Sequence, residues 1–286
     1  NDILDFSKIE AGKLDLNLQD FDLRKTVEDQ MDLLADSAHR KNLEFCVSFS
    51  GHLPALLRGV PSRLRQILTN LVANAIKFTD DGEISVQISH QETSENTIMA
   101  RFEITDTGIG IAAEDQAKLF ASFQQADNSA SRKYGGTGLG LSIARQLATL
   151  MSGDIGLISA PGQGSTFWVE LTFEKATTVA PELSEKSMVP VGTRILVVDD
   201  NRTSCDILER YLQQYQLDCR CTTDPESAVS ILSEANLDQP FDVVLIDMAM
   251  PTLDGFHLAR RIRQNDSGTD LPILILSSMN TDEEDI

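Results

Sequence analysis

Three polar residues interrupt an apolar stretch near position 70: Asn70, Asn74 and Lys77. Steps of four and then three residues put them along one edge of a helix. Amide oxygens are hard, neutral ligands suited to a Mg²⁺ that keeps waters and phosphate oxygens, and an ammonium one turn further on meets a phosphate oxygen. A solvated helix face accounts for these three residues equally well. Asp106-Thr-Gly108-Ile-Gly110 follows directly on a strand-like run. A carboxylate there accepts a hydrogen bond from an exocyclic amine, and the glycines let backbone approach a flat ring; taken alone, the segment is a turn. Gly135-Gly136-Thr137-Gly138-Leu139-Gly140-Leu141 opens a helix. Free N–H groups at a helix start, in a loop without side-chain bulk, cradle phosphate, although a flexible lid has the same composition. Neither the G-x-G-x-x-G fingerprint nor a Walker A loop fits.

A second constellation is acidic. Asp199 and Asp200 close one continuously apolar strand and Asp247 closes another. In doubly wound sheets ligands sit beyond the carboxyl ends of the strands. Three carboxylates converging there repel one another unless a cation is present, and Mg²⁺ is the natural one. A carboxylate in that position is also a nucleophile able to form an aspartyl phosphate.

The elements that must carry these residues follow from hydrophobic period. Residues 1–39 read as helical, with Ile3, Leu4, Ile9 and Leu14 first and a second stretch over 23–34. Leu43, Phe45, Val47 and Phe49 then alternate as a half-buried strand. Helical spacing returns over 62–78, with Leu64, Ile67, Leu68, Leu71, Val72, Ala75 and Ile76 on one stripe. Strands follow around 84–88, 98–104, 155–159 and 167–173, with a helix at 139–151. Helices plus a mostly hairpin-connected sheet predict a two-layer α+β domain. Residues 175–192, with Pro, Ser and charge but no period, read as a linker. Beyond them, strands near 195–198, 217–221, 241–246 and 273–276 alternate with amphipathic helices, which predicts a parallel sheet covered on both faces.

Composition narrows the function. The 286 residues hold 24 Lys and Arg against 44 Asp and Glu, a net charge of −20. Such a field repels phosphate backbones, so a general nucleic-acid partner is excluded while local nucleotide clusters are not. No apolar run approaches the roughly 18 residues of a membrane span. The first residue is Asn1 rather than Met, so the sequence reads as part of a longer protein, with any membrane anchor outside it. Four cysteines make no disulfide framework. Cys219 and Cys221 alternate along a strand and read as small apolar filler, and the chain as cytoplasmic and reducing.

In order, the motifs resemble a known family. Asn70-Leu-Val-Ala-Asn74-Ala-Ile-Lys77-Phe-Thr resembles the N box of sensor histidine kinases, and Asp106-x-Gly108-x-Gly110 their G1 box. Leu119-Phe120-Ala-Ser-Phe123 resembles the F box, Gly136-Thr137-Gly138-Leu139-Gly140-Leu the G2 box, and Gly162-Gln-Gly164 the later glycine turn. The resemblance implies a Bergerat-type ATP-binding fold with a lid over about 112–138. Residue by residue, it implies that Asn74 coordinates Mg²⁺, that Asp106 receives the adenine amine, and that Asn70 and Lys77 help hold metal and phosphates. Gly108 and Gly110 would flank the adenine, and Gly136 to Gly140 would bring lid backbone to the phosphates. Phe120 and Phe123 would anchor the closed lid or simply fill core.

Related gyrase and heat-shock chaperone ATPases have a glutamate general base where this chain has Asn70. An amide takes no proton from water, so the γ-phosphate is expected to await another nucleophile. That nucleophile would be a histidine, yet none of His39, His52, His90 and His257 lies in a His-Glu-x-Arg-x-Pro stretch. Residues 1–13 resemble the end of a dimerisation hairpin whose histidine helix would precede Asn1. Val60 departs from the Asp that the family often has after Gly59, with Ser62 expected to cap the helix instead.

Val197-Val-Asp199-Asp200-Asn and Leu245-Ile-Asp247-Met-Ala-Met-Pro251-Thr-Leu-Asp-Gly255 resemble response-regulator receiver signatures. This implies that Asp247 accepts a phosphoryl group, that all three aspartates hold Mg²⁺, and that Ser277 is the switch residue. The family's fifth strand would follow residue 286, so the receiver is expected to lack its last strand and helix and to leave a sheet edge unpaired. The resulting expectation is a hybrid sensor histidine kinase with four parts. Residues 1–20 end a dimerisation hairpin, 21–174 form the catalytic ATP-binding domain, 175–192 the linker and 193–286 a flavodoxin-like α/β receiver. The resemblance implies a homodimer through the hairpin, a histidine phosphotransfer partner and a downstream regulator. The rival readings are an ATP-hydrolysing relative and a non-catalytic signalling scaffold.

Overall fold

The computed structural model describes residues 6–9, 11–12, 14, 16–51, 53–116, 118–121, 138–176, 189–235, 239–251, 253–264 and 270–277. The chain divides into two compact units, Asn1–Leu183 and Ser184–Ile286. Ile3 and Leu4, most of the expected lid and residues 177–188 of the expected linker lie outside the described residues.

The first unit runs β1 (Gln19–Phe21), α1 (Leu23–His39), β2 (Glu44–Phe49), β3 (Leu57–Gly59), α2 (Pro61–Phe78), β4 (Glu83–Glu92), β5 (Thr97–Asp106), a short α3 (Ala113–Gln116), α4 (Gly140–Leu150), β6 (Asp154–Ser159) and β7 (Ser165–Lys175). Its sheet has the order β1-β3-β7-β5-β4-β2, and β6 adds to the remaining length of β7. Strands β4 and β5 pair antiparallel from Ile84↔Asp106 to Glu92↔Ile98, and β6 and β7 form a second hairpin. The expectation of hairpin connection needs one correction: β2 pairs parallel with β4, because α2 crosses over between them. Strands β1 and β3 were not anticipated, since three residues are too few to display a period.

Alternation in β4, β5 and β7 turns Ile84, Val86, Ile88, Ile98, Phe102, Ile104, Val169 and Leu171 inward, all fully buried. Against them pack Leu23, Val27 and Met31 of α1, the expected apolar stripe of α2, and Ile143 and Leu147 of α4. Each such side chain contributes roughly 1.5–3 kcal/mol on burial. The opposite sheet face stays half-buried, with Arg101 between Glu103 and Glu170 and stacked 4.8 Å from the Trp168 ring. Helix α2 starts at Pro61 with Val60 as its cap and no side-chain cap bond. The expected Ser62 cap is therefore wrong: a proline at the first helical position has no N–H to satisfy.

The second unit runs β8 (Arg194–Val198), α5 (Arg202–Gln214), β9 (Asp218–Thr222), α6 (Pro225–Glu234), β10 (Val243–Asp247), α7 (Gly255–Arg263) and β11 (Ile273–Leu276). Its described strands are all parallel, in the order β11-β10-β8-β9. Leu196, Val198, Val244 and Ile246 face α6 and α7, while Ile195 and Val197 face Leu208 and Leu212 of α5. This is the doubly covered parallel sheet that the continuous apolar strands imply.

Candidate functional site

Helix α2 carries Asn70, Asn74 and Lys77, all partly exposed, while its other face is core. The side-chain amide of Asn70 donates to the carbonyl of Gly140, 3.0 Å away, at the first residue of α4. Among the described residues the start of α4 has no side-chain cap, and backbone N–H groups at a helix start suit an anionic ligand. Leu139 before it is buried and Gly138 takes a positive φ of 69°. Gly136, Thr137 and Phe123 lie outside the described residues. Phe120 packs edge-on against Phe167 at 6.5 Å and joins the core. Burial holds the Lys77 ammonium below its ordinary pKa, and it lies 4.9 Å over the Phe78 ring.

Asp106 ends β5 as a buried carboxylate. Burial pushes its pKa up, against the backbone N–H groups of Gly108 and Ser165, which pull it down; the Gly108 bond is 2.9 Å. A Cβ at Gly108 would stand 2.4 Å from the Phe78 carbonyl, and one at Gly164 1.9 Å from the Asp106 carbonyl. Glycine is thus required where the end of α2, the end of β5 and the 162–164 turn converge. Gln116 ties the loop down by donating to the carbonyls of Ile111 and Ser159, both at 2.9 Å.

In the second unit the ligand atoms of Asp199, Asp200 and Asp247 all lie within 4.8 Å of one another. Asp199 is buried and accepts from the Asn201 backbone at 2.9 Å; Asp247 accepts from Ala249 at 3.0 Å. The Asp247 pKa is raised by burial and, against its backbone bonds, by the charge of Asp200. A carboxylate strained in this way fits a divalent cation. Asp247 pairs in register with Leu276, so exposed Ser277 leaves β11 at the same sheet end.

A family model for the histidine kinase-, DNA gyrase B-, and HSP90-like ATPases matches residues 59–175, and one for the response regulator receiver domain matches 195–286. The sensor histidine kinase GacS of Pseudomonas protegens is 39% identical over 267 residues, 92% of this chain and 28% of that protein. The signal transduction histidine-protein kinase BarA of Escherichia coli is 38% identical over 271 residues, 93% of this chain and 28% of that protein. Residues 59–175 belong to the first family and residues 195–286 to the second. The chain spans only a little over a quarter of these relatives' length. A crystal structure of full-length ShkA in complex with AMPPNP superposes on 96% of this chain and 57% of that one, with a TM-score of 0.71 and 28% identity.

Lys41 went unforeseen beside the Asn-bearing helix. Its ammonium donates to the carbonyls of Ile76, Lys77 and Thr79 at 2.6, 3.1 and 3.1 Å, the open C-terminal end of α2. A lysine in a turn before a strand carries no sequence signal for this. Among the described residues, no helix is long and apolar enough to cross a membrane.

Proposed function

We propose that this chain is the catalytic and relay part of an ATP-dependent protein-histidine kinase. The observation that carries it is the Asn70–Gly140 bond, which sets the amide-bearing edge of α2 against the start of α4. In this reading Asp106 accepts the adenine amine, Asn70, Asn74 and Lys77 face the triphosphate, and the 136–140 backbone covers it. When bound there, Mg²⁺ neutralises phosphate charge, with Asn74 as its protein ligand. Catalysis is positioning and charge stabilisation, since no carboxylate stands at Asn70 to activate water. The γ-phosphoryl group passes to a histidine supplied by a dimerisation hairpin. The matched relatives' names, and the AMPPNP carried by ShkA, support this reading over a hydrolase or an inert scaffold.

In the second unit Asp247 would accept the phosphoryl group from that histidine as an aspartyl phosphate. Asp199, Asp200 and Asp247 would hold Mg²⁺, which offsets the charge gathering on the transferred group, and Ser277 would respond to it. Onward transfer to a histidine phosphotransfer protein and a downstream regulator follows, in a homodimeric protein whose kinase part is cytoplasmic. The parts would be 1–20, 21–174, 175–192 and 193–286.

The test supplies a separate histidine-bearing hairpin and γ-labelled ATP to the full chain. Label is expected on the hairpin histidine and then on Asp247, with the first signal abolished by Asn74→Ala and only the second by Asp247→Asn. Hairpin label that survives Asn74→Ala removes the site assignment.

A further inference from the structure

Three of the four cysteines meet in the second unit. On β9, Cys219 and Cys221 project to the same face with their sulfurs 3.7 Å apart, half-buried and packed against the Ile195–Val197–Leu217 cluster as expected of small apolar residues. The Cys221 thiol donates to the carbonyl of Cys205 at 3.5 Å, and the fully buried Cys205 thiol donates to the carbonyl of Asp199 at 3.4 Å. A short chain of thiol donors thus runs from the surface of β9, through the first turn of α5, to the acidic pocket.

We propose that Cys219 and Cys221 form an oxidant-responsive dithiol, closed to a disulfide by a hydroperoxide, whose closure alters cation binding at Asp199. The second half rests on the reading of the aspartates as a Mg²⁺ site. Cys219 is the sulfur that attacks first. It is only half-buried and lies 3.7 Å from its resolving partner, and it reacts as the nucleophilic thiolate. Its sulfur attacks the peroxide, the O–O bond breaks, and a sulfenic acid forms as one water leaves. The Cys221 sulfur then displaces the hydroxyl, so that an S–S bond forms, the S–O bond breaks and a second water leaves. Two thiols and one hydrogen peroxide give one disulfide and two waters, the sulfurs losing the two electrons that the peroxide gains.

Backbone geometry permits the closure and makes it labile. Two residues of a strand span about 6.4–6.8 Å between Cα atoms, the upper end of the roughly 4.4–6.8 Å that a disulfide accepts. Strand β9 is the edge of the described sheet, bonded only to β8 there, so it can bend without breaking a second ladder. Bridges closed under strain are readily reduced, the property of regulatory rather than structural disulfides. Closure consumes the S–H that Cys221 gives to Cys205, and this frees the start of α5 beside Asp199.

The experiment uses the full chain carrying Cys46→Ala, so that only these three thiols report. Trypsin cleaves after Arg220, so a 219–221 bridge joins peptides 211–220 and 221–260. After hydrogen peroxide and alkylation that cross-linked pair is expected, reversed by dithiothreitol and absent from Cys219→Ser and Cys221→Ser. Calorimetric titration with Mg²⁺ is expected to show at least a threefold change in Kd on oxidation. Cys221→Ser keeps a donor and is expected to bind Mg²⁺ as the reduced chain does, with no response to peroxide. Thiols that stay alkylatable, sulfinic acid in place of a bridge, or a bridge from 203–210 to 221–260 each overturn the dithiol assignment. A bridge with unchanged Mg²⁺ affinity overturns the coupling. A reduced chain that takes up no Mg²⁺ counts against the pocket reading, whereas the peptide masses judge the dithiol independently.

Discussion

The side-chain amide of Asn70 gives its hydrogen to the carbonyl of Gly140 across 3.0 Å, joining two helices that lie 70 residues apart in sequence. One nitrogen is thereby committed to architecture, and the oxygen of the same amide is the atom left for chemistry. Asn70→Ala removes the bond at a net cost of about 0.5–1.5 kcal/mol. Asn70→Asp puts an acceptor against an acceptor and is expected to cost more, about 1–3 kcal/mol. Urea unfolding followed by Trp168, the single tryptophan and a residue of the same unit, is expected to rank the midpoints wild type, Ala, Asp. An aspartate variant as stable as the alanine one contradicts the bond.

Asp106 gives a pH dependence with a definite sign. Its folded pKa lies above the unfolded value because it is buried, so the folded state holds the proton more tightly. The associated stability is full below the unfolded pKa and is lost as pH rises through the folded one. Asp106→Asn keeps an acceptor oxygen for the Gly108 N–H and removes the buried charge. The variant is expected to melt higher than wild type at pH 7 and to converge with it near pH 3. Its ATP affinity is expected to fall tenfold or more, the scale of a lost charge-assisted hydrogen bond of about 1.5–3 kcal/mol. Melting points that differ equally at both pH values exclude the titration.

Long amphipathic elements were legible because their period is carried by many residues: the stripe on α2 and the alternation in β5 are visible in the sequence and define the core. The parallel strands before Asp199 and Asp247 were legible as apolar runs. What escaped was either short or tertiary. Three residues of β1 or β3 are too few to establish a period, and the parallel β2–β4 pairing depends on a crossover rather than on local pattern. The role of Lys41 exists only once α2 ends beside it, and the Cys221–Cys205–Asp199 chain only once α5 lies on β9. Asn70, Asn74, Asp106 and the aspartate trio were named from type and spacing, but the Asn70–Gly140 bond was not, because it joins two distant motifs.

Glycines of equal φ give a sharper test of the turn below Asp106. Gly162 and Gly164 both sit at φ 72°. A Cβ at Gly162 meets nothing within 4 Å, whereas at Gly164 it stands 1.9 Å from the Asp106 carbonyl. Gly162→Ala bears only the left-handed backbone cost of about 1–2 kcal/mol. Gly164→Ala must in addition push β5 and the turn apart, so a larger loss of stability and a clear loss of ATP binding are expected from it alone. Equal midpoints for the two variants contradict the contact.

Lys41 closes α2 at the end that carries Lys77, satisfying three carbonyls that the helix leaves open and adding a positive charge where the helix dipole is negative. Lys41→Met keeps the apolar stem and removes the donors, with an expected loss of about 1.5–3 kcal/mol and a raised KM for ATP. Lys41→Arg restores part of both, since a guanidinium still donates. A methionine variant with unchanged urea midpoint denies the cap any role.

Asp247 separates ligand loss from charge relief. Burial and the neighbouring Asp200 charge raise its folded pKa, so its ionised form costs stability that grows as pH rises through that pKa. Without added cation, Asp247→Asn is expected to make the second unit more stable at pH 7 than wild type. A bound cation reverses the order, because binding to the folded state alone contributes about 2.7 kcal/mol at a hundredfold excess over Kd. Wild type is therefore expected to gain melting temperature on Mg²⁺ addition and the variant to gain little, so the two melting curves cross as Mg²⁺ is raised. Parallel gains in both proteins place the cation elsewhere than between Asp199, Asp200 and Asp247.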